Sequence, residues 1–184
     1  MNLRATAAAS AVSSAGDIAV IRGVMVTMRD GVRLATDIYR PARDGVALDA
    51  PLPVLLERTP YGKHLQSRSE IDVGMHEPRL RADVAREFAR GGYVVIFQDC
   101  RGRHGSEGDF TKYLSEAADG FDTMAWITRQ PLCDGLIGTF GLSYAAHTQM
   151  AAACLNPPGL ACMVLDSGGF SSAYRCGIRQ GGAF

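Results

Sequence analysis

Gly138-Thr139-Phe140-Gly141-Leu142-Ser143-Tyr144-Ala145-Ala146 lies where a short apolar strand pattern, Leu136 to Phe140, gives way to a helical pattern running from Ser143 to about Cys154. A serine on so tight a strand-to-helix turn takes strained backbone angles, and small residues around it let strand and helix approach closely. Its hydroxyl is then lifted above the carboxyl edge of the sheet, which is the nucleophile elbow. A second gain is electrostatic. The helix N-terminus and the backbone N–H of Tyr144 point at any oxyanion formed when Ser143 attacks a carbonyl. Read alone, the motif fits equally well a serine that simply caps a helix after a strand.

Working outward, the flanking segments supply a sheet. Ile18 to Met28 and Val32 to Tyr39 are β-rich runs separated by Arg29-Asp30-Gly31, where glycine accepts the positive φ of a tight hairpin turn. A polar loop over Pro41 to Pro53 precedes Val54-Leu55-Leu56, a short buried strand. Leu80, Val84 and Phe88 at four-residue spacing predict an amphipathic helix over Pro78 to Arg90, begun by Pro78 and stopped by Gly91-Gly92. Tyr93 to Phe97 reads as a strand covered on both faces. Ala118, Phe121, Met124, Ala125 and Ile127 predict a second helix with Ser115 as its cap. The third helix ends at Asn156-Pro157-Pro158-Gly159, and Ala161 to Leu165 forms a last strand. This order predicts an α/β fold, with a mostly parallel sheet, an amino-terminal antiparallel hairpin and helices on both faces.

Four motifs together resemble one family. They are Asp30-Gly31-Val32-Arg33-Leu34-Ala35-Thr36-Asp37-Ile38-Tyr39-Arg40-Pro41, then Arg58-Thr59-Pro60-Tyr61-Gly62-Lys63, then Asp99-Cys100-Arg101-Gly102 with Ser106 and Gly108, and finally Ile137-Gly138 through Gly141-Leu142-Ser143-Tyr144. Their order and spacing are similar to those of the cocaine-esterase and X-prolyl dipeptidyl-peptidase-like hydrolases, from about residue 20 onward. The resemblance implies an incomplete α/β-hydrolase fold and cleavage of carboxylic esters or X-prolyl peptides through an acyl-serine intermediate. It implies Ser143 as nucleophile, the Tyr144 N–H as one oxyanion donor and the phenol of Tyr61 as the second. A phenolic O–H positioned by Pro60 and Gly62 suits that task.

A serine nucleophile needs a base and an orienting carboxylate, in this fold in the chain order Ser, Asp or Glu, His. After Ser143 the chain offers His147 and Asp166 and no glutamate. The resemblance implies an acid and base beyond Phe184, and hence little turnover by these residues alone. His147 lies one helical turn after Ser143 and its side chain leans back toward it, but it is expected to be a packed or partly exposed histidine. Asp166 ends the last strand. Asp99, Arg101, Arg103 and His104 read as structural, Asp99 through an arginine pair or a turn, and His64 and His76 as surface residues. The family's glycine three residues after the serine is Ala146 here, and His147 stands where the family has an apolar residue.

Composition bounds the rest. Of 184 residues, 19 are Lys or Arg and 19 Asp or Glu, so the formal charge is zero and nothing favours a polyanion partner. A 47% hydrophobic and 21% charged composition suits a globular domain. No apolar run approaches the roughly 20 residues of a membrane-spanning helix. Cys100, Cys133, Cys154, Cys162 and Cys176 form no CxxC pair, which argues against a disulfide framework or zinc site. Three of them sit in apolar segments as small hydrophobes, and a cytoplasmic location is expected. The expected organisation is a flexible tail over 1–17, a partial hydrolase domain over 18–166 and the truncated start of a cap over 167–184. No metal or organic cofactor is implied. The expected partner is a small-molecule ester or short peptide, with no nucleic acid and no membrane, and an unpaired sheet edge is open to self-association. The rival reading is a non-catalytic scaffold, or a fragment that works only with a complementing chain.

Overall fold

The computed structural model describes residues 18–67 and 79–168. The two expected β-rich runs become β1 (Ile18–Thr27) and β2 (Arg33–Arg43), paired antiparallel from Thr27↔Arg33 to Ile18↔Pro41. Gly31 turns between them at φ 88°. The expected Pro41–Pro53 loop is partly ordered instead. β2 continues to Arg43, and β3 (Val46–Ala47) folds back on it.

The elements that follow are β4 (Leu52–Thr59), β5 (Gln66–Ser67), β6 (Arg79–Leu80), α1 (Arg81–Arg90), β7 (Val94–Asp99), α2 (Glu116–Ile127), β8 (Cys133–Leu142), α3 (Tyr144–Ala153) and β9 (Leu160–Asp166). Two boundaries differ from the sequence reading. Helix α1 begins at Arg81 rather than Pro78, because Arg79 and Leu80 pair with Ser67 and Gln66; Pro78 lies outside the described residues. Ser115 occupies the cap position of α2, but its hydroxyl makes no capping bond. Its carbonyl instead accepts the Asp119 N–H.

The strand order is β1-β2-β7-β4-β8-β9, with β3 beside β2. The hairpin strand β2 meets β7 antiparallel, and every later neighbour pair is parallel. The chain steps from β4 to β7 on one side, then returns past β4 to β8 on the other. The carboxyl ends of β4 and β8 therefore flank a reversal of strand order, the place where open α/β sheets bind ligands.

Alternation along the strands divides two cores. Val54, Leu56, Val94, Ile96 and Ile137 face one side, against Met124 and Ile127 of α2 and Ala152 of α3. Val95, Phe97 and Phe140 face the other, against Val84, Ala85 and Ala89 of α1. Helices thus cover both faces. Helices α2 and α3 cross so tightly that a side-chain carbon at Gly120 would lie 2.5 Å from Ala152 Cβ.

Among the described residues strand β9 has no outer neighbour in this sheet, and its middle is exposed, Val164 by 64%. Apolar surroundings in sequence therefore do not translate into burial for every thiol. Cys100 is buried, whereas Cys154 and Cys162 are exposed and Cys133 is intermediate, all four free. Cys176, the tail over 1–17 and most of 167–184 lie outside the described residues. Among the described residues, no helix is long and apolar enough to cross a membrane.

Candidate active site

Ser143 follows β8 directly, and Tyr61 follows β4 by two residues, so two adjacent parallel strands deliver them to the same edge. Ser143 adopts φ 59° and ψ −112°. A non-glycine residue held there stores about 1–3 kcal/mol and persists only where its surroundings enforce it. The restraints are visible. The Ser143 N–H donates to the Asp166 carbonyl at 2.9 Å, and its own carbonyl accepts the N–H groups of Ala146 and His147. Gly141, at φ 144°, leaves room for the turn, since a side-chain carbon there would lie 2.6 Å from Ala145 Cβ. Ala146 is fully buried in place of the family's glycine. The hydroxyl of Ser143 makes no helix-capping bond, which removes the simple cap as an account of this serine.

The Tyr61 hydroxyl donates to Ser143 Oγ at 3.2 Å, and the Tyr144 N–H donates to Tyr61 Oη at 3.3 Å. The three groups named from the sequence therefore form one chain of two hydrogen bonds that meet at Tyr61 Oη. Tyr61 is 45% exposed, so this cluster opens to solvent.

Both ends of this cluster are anchored. The Tyr61 N–H donates to Thr59 Oγ1 and the Lys63 N–H to Asp99 Oδ1. Asp99 Oδ2 accepts the Gly105 N–H, and the Asp99 carbonyl accepts the Ser106 hydroxyl. Asp99 thus ties two loops together through backbone bonds, which makes it a turn residue rather than half of an arginine pair. Arg103 donates to the Pro60 carbonyl, and His104 Nε2 lies 3.1 Å from the same oxygen. On the other side, the Tyr144 phenol donates to Glu116 Oε1 at 3.1 Å and accepts the Tyr113 N–H at 2.9 Å. Burial raises this phenol's pKa, so it stays protonated and keeps donating. Glu116 in turn sits 3.1 Å from the buried guanidinium of Arg58.

The remaining candidates lie elsewhere. The ring of His147 packs edge-on against Tyr113, with centroids 4.4 Å apart, and makes no hydrogen bond to Ser143. Its Nε2 is buried without a partner, and burial lowers its pKa. Asp166 accepts the Ser167 hydroxyl. Arg101 pairs with Asp119 and Asp30. His64 is exposed and packs edge-on to His104, and His76 is outside the described residues. No group of His, Cys, Asp and Glu among the described residues could hold a metal ion.

Glu57, Arg81, Tyr113 and Glu116 escaped the sequence reading, and Arg58 entered it only as part of a motif, without its partner. Glu57 and Arg58 carried a usable signal: two charged residues that directly continue the apolar run Val54-Leu55-Leu56 must find buried partners.

The sheet order, the crossover helices and the solved structures this chain resembles define a portion of an α/β-hydrolase fold. Residues 30–184 match the family described as X-Pro dipeptidyl-peptidase (S15 family), and the chain belongs to it. It is 45% identical over 145 residues to the cocaine esterase of Rhodococcus sp., covering 79% of this chain and 23% of that protein. It is 39% identical over 126 residues to a putative serine esterase of Mycobacterium bovis, covering 65% and 20%. Among solved structures, an α-amino acid ester hydrolase superposes with a TM-score of 0.64 at 32% identity, over 85% of this chain and 26% of that one. A CocE/NonD family hydrolase from Staphylococcus aureus gives 0.65 at 29%, over 79% and 27%. The chain spans about a quarter or less of the length of these relatives.

Proposed function

We propose that Ser143 is the nucleophile of a serine hydrolase acting on carboxylic esters or X-prolyl peptides, with the Tyr61 phenol and the Tyr144 N–H as its oxyanion hole. The observation that carries this reading is the meeting of Ser143 Oγ, Tyr61 Oη and the Tyr144 N–H within 3.2 and 3.3 Å. A substrate carbonyl oxygen entering between the two donors takes over their hydrogen bonds. Ser143 Oγ then adds to the carbonyl carbon, its proton passes to a base, and the carbonyl π electrons become the oxyanion that the donors stabilise. Collapse expels the alcohol or amine with a proton and leaves acyl-Ser143, which water hydrolyses. The name of the Rhodococcus relative supports an ester substrate, and the family description supports an X-prolyl one.

Among the described residues no imidazole hydrogen-bonds Ser143, so an added base is the direct way to expose the nucleophile. Incubating the 184-residue chain with a p-nitrophenyl ester and free imidazole is expected to give one acyl adduct per chain, mapped to Ser143 by mass spectrometry. The adduct is expected to form faster with rising imidazole and to be absent from Ser143→Ala. No adduct at residue 143 at any imidazole concentration would favour the scaffold reading instead.

A further inference from the structure

Arg81 and Glu57 stand apart from the groups that touch the reacting atoms, yet both are buried, at 2% and 1% exposure. Their contact is bidentate: Arg81 Nε reaches Glu57 Oε2 at 2.9 Å, and Nη2 reaches Oε1 at 2.7 Å. The rest of the guanidinium is spent on one loop. Nη1 lies within hydrogen-bond distance of three carbonyls, Gly62 at 3.2 Å, Leu65 at 3.3 Å and Gln66 at 2.8 Å. Nη2 also lies 3.4 Å from Thr59 Oγ1, the acceptor of the Tyr61 N–H. The Arg81 N–H adds a bond to the Leu65 carbonyl. Every one of these acceptors belongs to the segment that carries Tyr61.

Glu57 has a second neighbour. A side-chain carbon on Gly141 would lie 3.4 Å from Glu57 Cγ, so the carboxylate stem passes directly beneath the elbow. One buried ion pair thus touches the support of the nucleophile and the support of the oxyanion phenol.

A buried pair of this kind contributes little net stability, because desolvation consumes most of its Coulomb energy. What it gives is geometry: the planar fork fixes several acceptors at once, which a lysine point charge cannot do. We infer that the buried Glu57–Arg81 pair is a positioning device that holds the Tyr61 loop against the elbow and so keeps the phenol on Ser143. Arg81 and Glu57 are positioning residues, and the inference rests on reading Tyr61 as an oxyanion donor.

The test is 19F NMR of the 184-residue chain labelled with 3-fluorotyrosine, with the Tyr61 signal assigned through Tyr61→Phe. In the wild type that signal is expected to shift on Ser143→Ala, since the two side chains touch. In Arg81→Lys and in Glu57→Gln it is expected to broaden and lose that response. The signals of Tyr39 and Tyr93, which neighbour later turns of α1 but among the described residues share no hydrogen bond with Glu57, Arg81 or the Tyr61 loop, should stay in place. Imidazole-dependent acylation of Ser143 should fall about 10- to 100-fold in Arg81→Lys, the usual loss for a misplacement near 1 Å.

A Tyr61 signal unaltered in both variants overturns the inference. So does a collapse of all tyrosine signals together in both, which would make the pair a general support of the fold. The two readings separate cleanly. A wild-type chain that is never acylated, but whose Tyr61 signal still depends on Arg81, would defeat the hydrolase reading and leave the clamp standing.

Discussion

Tyr61→Phe is expected to slow imidazole-dependent acylation of Ser143 by about 100- to 1000-fold, or ~2.7–4 kcal/mol of transition-state stabilisation, the loss that follows removal of one oxyanion donor. The substitution deletes a single oxygen. Among the described residues that oxygen bonds only Ser143 Oγ and the Tyr144 N–H, and the side chain is 45% exposed, so its loss removes little from the packing. The unfolding midpoint should accordingly match that of the wild type. Acylation rates followed by intact-mass spectrometry decide the matter, and a loss smaller than about tenfold would mean that the phenol does not face the developing oxyanion.

The second large effect concerns stability. Arg58 and Glu116 are buried at 3% and 0% exposure, with Arg58 Nη2 and Glu116 Oε2 3.1 Å apart. Arg58 also donates to Gln98 Oε1 and to the Glu116 carbonyl, while Glu116 accepts the Tyr144 phenol. Glu116→Ala takes away the nearer counter-charge of a buried guanidinium and leaves only Asp119, 3.8 Å away and shared with Arg101, a change that typically costs about 3–5 kcal/mol. For a domain of this size that corresponds to a fall in Tm of about 10 °C. Replacing both partners, Arg58→Met with Glu116→Leu, should recover most of the loss, because no charge is then stranded. Thermal unfolding of the single and double variants checks both statements. A single variant that melts within about 2 °C of the wild type would show that the pair is not the anchor it is taken to be.

Much of this architecture was legible because it is encoded locally. The Asp30-Gly31 turn, the apolar stretch before Phe97 and the small residues around Ser143 each act over a few positions, and each element forms where its pattern places it. The convergence of Tyr61 with Ser143 is not local. It was legible only through four motifs in a fixed order, and the parallel pairing of β4 with β8 supplies its physical cause.

What escaped was the identity of long-range partners. The sequence shows Glu57 and Arg58 directly after an apolar run, but it cannot say that one meets Arg81 and the other Glu116. Ser115 failed as a side-chain cap although residue type favoured it, while the acidic first turn of α2 is held by Arg58 and Arg101. Cys162 is exposed for a related reason. Apolar neighbours indicate a strand or helix but not its depth, and β9 lies at the sheet edge with its middle exposed.

An oxyanion on Ser143 is expected to rest between the Tyr61 phenol and the Tyr144 N–H. A crystal structure of the chain with a phosphonate covalently attached to Ser143 should place the phosphoryl oxygen within hydrogen-bond distance of both Tyr61 Oη and Tyr144 N, with the bond between those two groups broken. A phosphoryl oxygen turned to solvent, or a phosphonate found on a different serine, would contradict this placement.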